Sequence, residues 1–217
     1  MITRTSPVWL PPPELLPDAR SALRAAAAEL PAPGDGPGAD PRPGDAGPLA
    51  DPREAVYDAH FGVARTARDP ARTLLRALLQ TTAEASAWVR ADDRAALHAA
   101  LAVCGAGTPA PVGAPAGNPR ARWRAGHRLF FALTAATVVA LRDATARPAG
   151  RHPGPAATRD AAVLLRASAA AMAATASFTP HAYQTEVRPS MEPPAERDGF
   201  SGLWSADHRA LVRQLGI

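Results

Sequence analysis

Residues 118–143 read NPRARWRAGHRLFFALTAATVVALRD, and the fold follows from how that stretch is read. Asn118 before Pro119 is a helix start: the amide side chain accepts from a free backbone N–H, and proline suits a first helical position, where its missing N–H costs nothing. Trp123, His127, Phe130, Thr134, Val138 and Leu141 then recur at intervals of three or four, which predicts a helix to about Asp143. Its apolar face carries a histidine, and a face of that length needs other helices to cover it.

The same start signal recurs on either side. Asp51-Pro52 opens a helix that places Val56, Ala59, His60 and Val63 to one side. Asp69-Pro70 opens another, on which Leu74, Leu75, Leu78, Leu79, Thr82, Ala85, Trp88 and Val89 keep a helical period. Asp92-Asp93 recaps the chain before Leu97 to Val103. Upstream, Leu15, Leu16, Ala19, Leu23, Ala26 and Ala27 predict a helix from Glu14 to Leu30, ended by Pro31. Downstream, Thr158 with Asp160 in the first turn starts a helix to Ser177.

Residues 1–13 read as extended, with Trp9 and Leu10 as a docking point. No alternating pattern of useful length appears, so the fold class is all-α: a helical bundle with Pro/Gly-rich linkers at 31–52, 104–118 and 144–156. The expected organisation is an N-terminal helix with a disordered Pro/Gly-rich linker over 1–50, then a helical domain over 51–217.

Composition excludes several classes. All 24 basic residues are arginine, and the sequence pI is about 10.4, but the net charge is only +4 and the arginines are scattered. A phosphate-tracking surface gathers its charge, so no nucleic-acid partner is expected. The single cysteine, Cys104, excludes an internal disulfide or a multi-cysteine metal site and suits a reducing, cytoplasmic setting. Met1 to Leu10 lacks the basic-then-apolar order of a signal peptide, and Ala161 to Phe178 is alanine-rich with Arg166 in its middle, so no membrane partner is expected. Gly105-Ala106-Gly107 lacks the strand and lysine of a phosphate loop, G-F-S-G-L misses a nucleophile elbow by one position, and Glu-x-x-His does not occur on two helices.

Most of the varied polar chemistry lies in residues 178–212, FTPHAYQTEVRPSMEPPAERDGFSGLWSADHRALV. It opens with a Thr179-Pro180 helix start and closes with another at Ser205-Ala206-Asp207. By itself, His127 suits a satisfied core histidine as well as a catalyst, and Arg188 suits a solvated loop as well as a two-pronged carboxylate clamp. His60, on an apolar face, suits either a core or a pocket, while His98, His152 and His181 read as surface.

This segment resembles the substrate-binding region of tryptophan 2,3-dioxygenase. Its R-P-S-M-x-P-P and F-S-G-L-x-S-x-D-H wording is more similar still to the heme-dependent tyrosine hydroxylases of natural-product pathways, in the same heme-dependent aromatic oxygenase superfamily. His127, in G-H-R-L-F-F-A-L, precedes Arg188 at the spacing of the histidine that lies over the distal heme face in tryptophan 2,3-dioxygenase. The resemblance covers roughly 120–217, is weak over 53–103 and is absent over 1–50.

The resemblance implies a tryptophan 2,3-dioxygenase-like helical bundle, a heme b cofactor, and dioxygen or peroxide as oxidant. The activity it implies is hydroxylation or dioxygenation of an aromatic amino acid such as tyrosine or tryptophan in secondary metabolism, with ring hydroxylation of a tyrosine-like substrate ahead. Arg188 would pair with the substrate carboxylate, Tyr183 would pack beside its ring, and Phe200, Ser201 and Gly202 would line the loop around its ammonium group or the heme edge. His127 would be the catalytic imidazole, bonding the ring substituent or the bound oxygen species. The iron-ligating histidine of these enzymes lies downstream of the arginine loop, so the chain reads as a C-terminally truncated relative. His208 is then the in-chain candidate for axial metal ligand, and a second chain supplying the ligand helix is the other source. A homo-oligomer is expected. The alternative is a non-catalytic helical partner or binding protein derived from that family.

Overall fold

A computed structural model describes residues 6–30, 51–112, 118–146 and 155–216. The predicted linkers over 31–50, 113–117 and 147–154, with His152, lie outside the described residues.

The long predicted helix is the axis of the molecule. It runs as α5, Pro119–Thr145, with Asn118 Oδ1 accepting from Ala121 N at 3.1 Å. From Ala125 to Ala140 every residue except Phe130 is buried, so the helix is covered all round and not along one stripe. Phe131, not Phe130, is the deeply buried aromatic. The alanines of that stretch (Ala125, Ala132, Ala135, Ala136 and Ala140) are small enough to let neighbouring helices pack against α5 on every side.

Those neighbours are α3 (Pro70–Ala85), α6 (Pro155–Thr175) and α8 (Ala206–Leu215), with α4 (Ala91–Val103) laid against α6. Gly126 of α5 sits against α6: a Cβ there would lie 2.4 Å from Thr175 Cγ2. α2 (Pro52–Phe61) begins as expected, Asp51 Oδ1 accepting from Arg53 N at 2.9 Å. Its buried face is Glu54, Tyr57, Asp58, His60 and Phe61, whereas Ala59 is exposed. Gly62 ends α2 at φ 65°, and its missing side chain makes room for Arg128 of α5, whose Nε donates to Phe61 O at 2.6 Å.

Expectations change at several element ends: α6 starts at Pro155 and not at Thr158, and Val63 lies in a strand beyond the end of α2. The helix expected from Glu14 to Leu30 is a short 3₁₀ turn, Pro13–Leu15, then α1, Arg20–Ala28; Pro17 prevents one continuous helix. The helix expected to reach Val89 stops at Ala85, and Val89 is buried in the turn that follows. Residues 8–10 form β1, Val8–Leu10, paired in parallel with β2, Val63–Arg65, Val8 facing Val63. Three residues are too few to show an alternating pattern. The fold class is all-α, with that single strand pair among the described residues. Trp9 and Leu10 do dock here, and Leu10 and Leu23 of α1 join the core built on α5.

After α6 comes α7, Pro180–Ala182, capped by Thr179 Oγ1, which accepts from Ala182 N at 3.1 Å. A π-helical turn, Tyr183–Val187, and a 3₁₀ turn, Arg188–Met191, continue it. The chain then crosses an exposed stretch to a 3₁₀ turn, Gly202–Trp204, and enters α8 with Ser205 as cap. No single described helix is long and apolar enough to cross a membrane.

Candidate functional site

α2, α5 and the segment before α8 meet in a cluster of aromatic and imidazole rings. Phe61 is its hub, with ring centroids 4.5 Å from His127, 4.8 Å from His60, 5.0 Å from Tyr57 and 5.2 Å from Phe131. Phe200 closes the outer side, 4.7 Å from His60 and stacked on Tyr57 at 5.2 Å and 26°. Trp123 lies 3.9 Å from His127.

Each imidazole has its tautomer fixed through Nδ1. His127 Nδ1 is 2.9 Å from the Trp123 carbonyl, one turn back on α5, and a carbonyl only accepts, so Nδ1 carries the proton and Nε2 the lone pair. His60 Nδ1 is 2.8 Å from Glu196 Oε1, and the carboxylate imposes the same tautomer. His60 Nε2 is buried and has no hydrogen-bond partner among the described residues; the indole N–H of Trp123 is in the same position.

The surroundings keep both rings neutral. Burial pushes His127 down to about 4, partly opposed by its bond to the Trp123 carbonyl. Burial also lowers His60, against the pull of Glu196 and with Arg124 and Arg120 adding to the lowering. Tyr57 moves the other way, burial and then the Asp58 and Asp207 charges holding its hydroxyl well above the usual phenol value.

The structure gathers only part of the expected set. His127 and Phe200 share the Phe61 hub. Ser201 caps the following turn, its Oγ accepting from Leu203 N at 3.3 Å, and Gly202 lies over the Tyr57 hydroxyl. Tyr183 instead stacks on Phe178, at 6.3 Å and 6°. Arg188 is 53% exposed, with Nε donating to Glu192 Oε1 at 2.7 Å and Nη1 to Gln184 Oε1 at 3.4 Å. It grips a carboxylate, but one of its own chain. His208 stands half-buried in the first turn of α8, its N–H donating to Ser205 Oγ at 3.2 Å, and its ring has no aromatic contact with the cluster among the described residues.

Sequence reasoning missed Glu196, Tyr57 and Phe61, and left His60 undecided. The available signal was local: His60 and Phe61 follow Tyr57 at three and four residues, which brings each beside it on the helix. It also missed that Asp207, beside His208, is fully buried and shares Arg65 with Asp58.

As donors, the imidazoles suit iron: Nε2 of His60 is free and its Nδ1–H is oriented by a carboxylate. As packed, however, Phe61 and Phe200 stand against His60, and Phe61 and Trp123 against His127. No plane for a porphyrin opens beside either ring, so heme does not fit this packing. No group of three or more potential metal ligands occurs among the described residues. A cavity of about 410 Å³ between α3 and α4 is lined by Thr82, Arg94, Leu97 and His98, and none of its lining residues belongs to the cluster.

Fold and site together define an all-α protein whose central helix carries a neutral histidine into a closed aromatic cluster. Residues 6–217 match the family model of the SfmD 3-methyl-L-tyrosine peroxygenases, and the chain belongs to that family. A 3-methyl-L-tyrosine peroxygenase of Streptomyces lavendulae is 33% identical over 97 residues, which cover 43% of this chain and 26% of that protein. The matched segment thus spans about a quarter of that relative's length. A crystal structure of reduced SfmD, obtained by soaking with sodium hydrosulfite, superimposes with a TM-score of 0.66 and 24% identity, covering 98% of this chain and 86% of that chain. At that identity the match speaks for the fold, and it agrees with the all-α reading.

Proposed function

We propose that this chain is an oxidoreductase of natural-product biosynthesis that oxygenates an aromatic amino acid of the tyrosine type, with peroxide ahead of dioxygen as the oxidant. Family membership and the name of the Streptomyces lavendulae relative support the substrate class and the peroxide. The observation that carries the reading is the cluster itself: flat apolar walls of Tyr57, Phe61 and Phe131 surround two imidazoles that each offer a lone pair, which suits an aromatic ring bearing an O–H or N–H.

Heme b would be the cofactor of this proposal and would supply the oxidising equivalent, but only if the rings now packed against His60 and His127 gave way to admit it. Among the chain's own residues, His127 presents Nε2 to the ring substituent, and Arg188 takes the substrate carboxylate by exchanging it for Glu192. Ser201 and Gly202 form the wall nearest the ligand, and Tyr183 supports the arginine segment. His208, or a histidine from another chain of a homo-oligomer, would hold the iron. One observation favours the second reading, a non-catalytic binding relative: the cluster is filled by its own side chains.

Reconstitution with hemin separates the two. A Soret band that weakens in His208→Ala and persists in His127→Ala, together with weaker L-tyrosine binding in Arg188→Leu, is the expected result. A chain that binds L-tyrosine and takes up no heme is a binding protein. If Arg188→Leu leaves tyrosine affinity unchanged, the carboxylate clamp is wrong.

A further inference from the structure

Between the 3₁₀ turn at Arg188–Met191 and Trp204, the chain makes two contacts with the ring cluster through half-buried side chains. Glu192, Pro193, Pro194, Ala195, Arg197, Asp198 and Gly199 are exposed, whereas Glu196 bonds His60 and Phe200 lies among the rings. The other walls of the cluster stand on α2 and α5, inside the core. Phe200 is therefore an aromatic ring delivered to a preformed aromatic wall by a mostly exposed segment. It also leaves a polar atom unanswered: His60 Nε2 is buried beside it, and a phenyl ring offers no donor. A buried acceptor left unmade is unfavourable, so the site is arranged for something better matched than phenylalanine.

We infer that Phe200 occupies a ligand slot in its own chain, with the Glu196–His60 bond as its latch. An aromatic ring carrying a hydrogen-bond donor takes the place of Phe200 between Tyr57 and His60 and donates to His60 Nε2. Glu196 then has two roles, holding the segment closed and keeping the lone pair on Nε2. Phenols and indoles fit this chemistry, and a plain phenyl ring does not. That the ring belongs to an amino acid rests on the function proposed above; the slot does not.

The test uses L-tyrosine, L-phenylalanine, p-cresol and indole, titrated against the wild-type chain and Phe200→Ala. Binding is read by calorimetry and by the ¹⁵N resonance of His60 Nε2. Removing the resident ring should tighten L-tyrosine and p-cresol by about tenfold, shift the Nε2 resonance on binding, and leave L-phenylalanine about tenfold weaker than L-tyrosine, as one hydrogen bond and one satisfied acceptor imply. In the Phe200→Ala background, His60→Leu should abolish that preference. Where His60→Leu lowers the melting temperature too far, the Nε2 shift in Phe200→Ala decides, since it needs no change at position 60. If p-cresol and indole move Nε2 while L-tyrosine does not bind, the slot stands and the amino-acid reading falls. If L-tyrosine binds wild type and Phe200→Ala equally and Nε2 does not move, the slot is overturned and the amino-acid reading stands.

Discussion

His127 is neutral in the folded chain at any pH down to about 4, because burial penalises the charged ring. Unfolded, the same imidazole takes its proton near 6.5. Between those values the unfolded state binds more protons, so stability falls as the pH drops. The contribution is fully present above about pH 6.5 and gone below about 4, and at about 1.4 kcal/mol per pH unit it amounts to about 3 kcal/mol. Urea melts at pH 7 and pH 4.5 should show wild type losing more stability than His127→Gln; equal losses would mean that the ring is not buried as described. His127 was legible because its signal is local, a histidine on the face that starts with Trp123. The importance of His60 was not legible, because its partner Glu196 lies 136 residues away in a segment with no periodicity to place it. Arg188 could be found by its wording, but whether it was free could not: its neighbour Glu192 is one short turn away and takes the guanidinium.

Helix starts written as a capping residue before proline were the most legible elements, since each depends on two adjacent residues; the starts read at Thr158 and Asp92-Asp93 were not borne out, α6 beginning at Pro155 and α4 at Ala91. Asp51, Asp69, Asn118 and Thr179, all followed by proline, accept from backbone N–H groups, and Ser205 does the same for α8. Helix packing was less legible, because small residues carry no pattern that names their partner. Gly126 shows what such a residue does. On propensity alone, Gly126→Ala should stabilise α5 by about 1 kcal/mol. Against that, the new methyl would meet Thr175 Cγ2 at 2.4 Å and the Thr175 backbone at 3.2–3.3 Å, so α6 itself has to move. Overpacking of this kind costs about 1–3 kcal/mol and wins. The expected melt is lower than wild type, and Thr175→Ser in the same chain should restore part of the loss by removing Cγ2, leaving the backbone contact. A Gly126→Ala melt at or above wild type would show that α5 and α6 are not in contact there.

Across the whole molecule, one arginine joins the two ends of the sequence. Arg65, at the end of β2, forks onto Asp58 of α2 through Nε and Nη2 at 2.8 and 2.9 Å, and onto Asp207 of α8 through Nη1 and Nη2 at 3.0 and 2.7 Å. Nη1 also donates to Pro11 O at 3.2 Å, just beyond β1. Desolvation pulls the guanidinium's pKa down, but the two carboxylates outweigh it and the net direction is up, so Arg65 stays charged. The aspartate in the D-H pair near the C-terminus, read from sequence as the neighbour of a candidate ligand, is thus a structural anchor. Asp207→Asn leaves Arg65 and Asp58 as a one-to-one pair but turns an NH2 group toward the guanidinium in place of an accepting oxygen, so a charge-assisted hydrogen bond worth about 1.5–3 kcal/mol is lost. Because the same guanidinium holds Pro11, Asp58 and Asp207, the loss should not stay in α8: hydrogen exchange should quicken together in β1, β2 and α8, with α6 little changed. Replacing Asp58, Arg65 and Asp207 together by apolar residues of similar volume removes the charges as a set, and should cost much less than Arg65→Leu alone, which strands two buried carboxylates. If the single change is silent, or frays α8 by itself, Arg65 does not couple the ends of the chain.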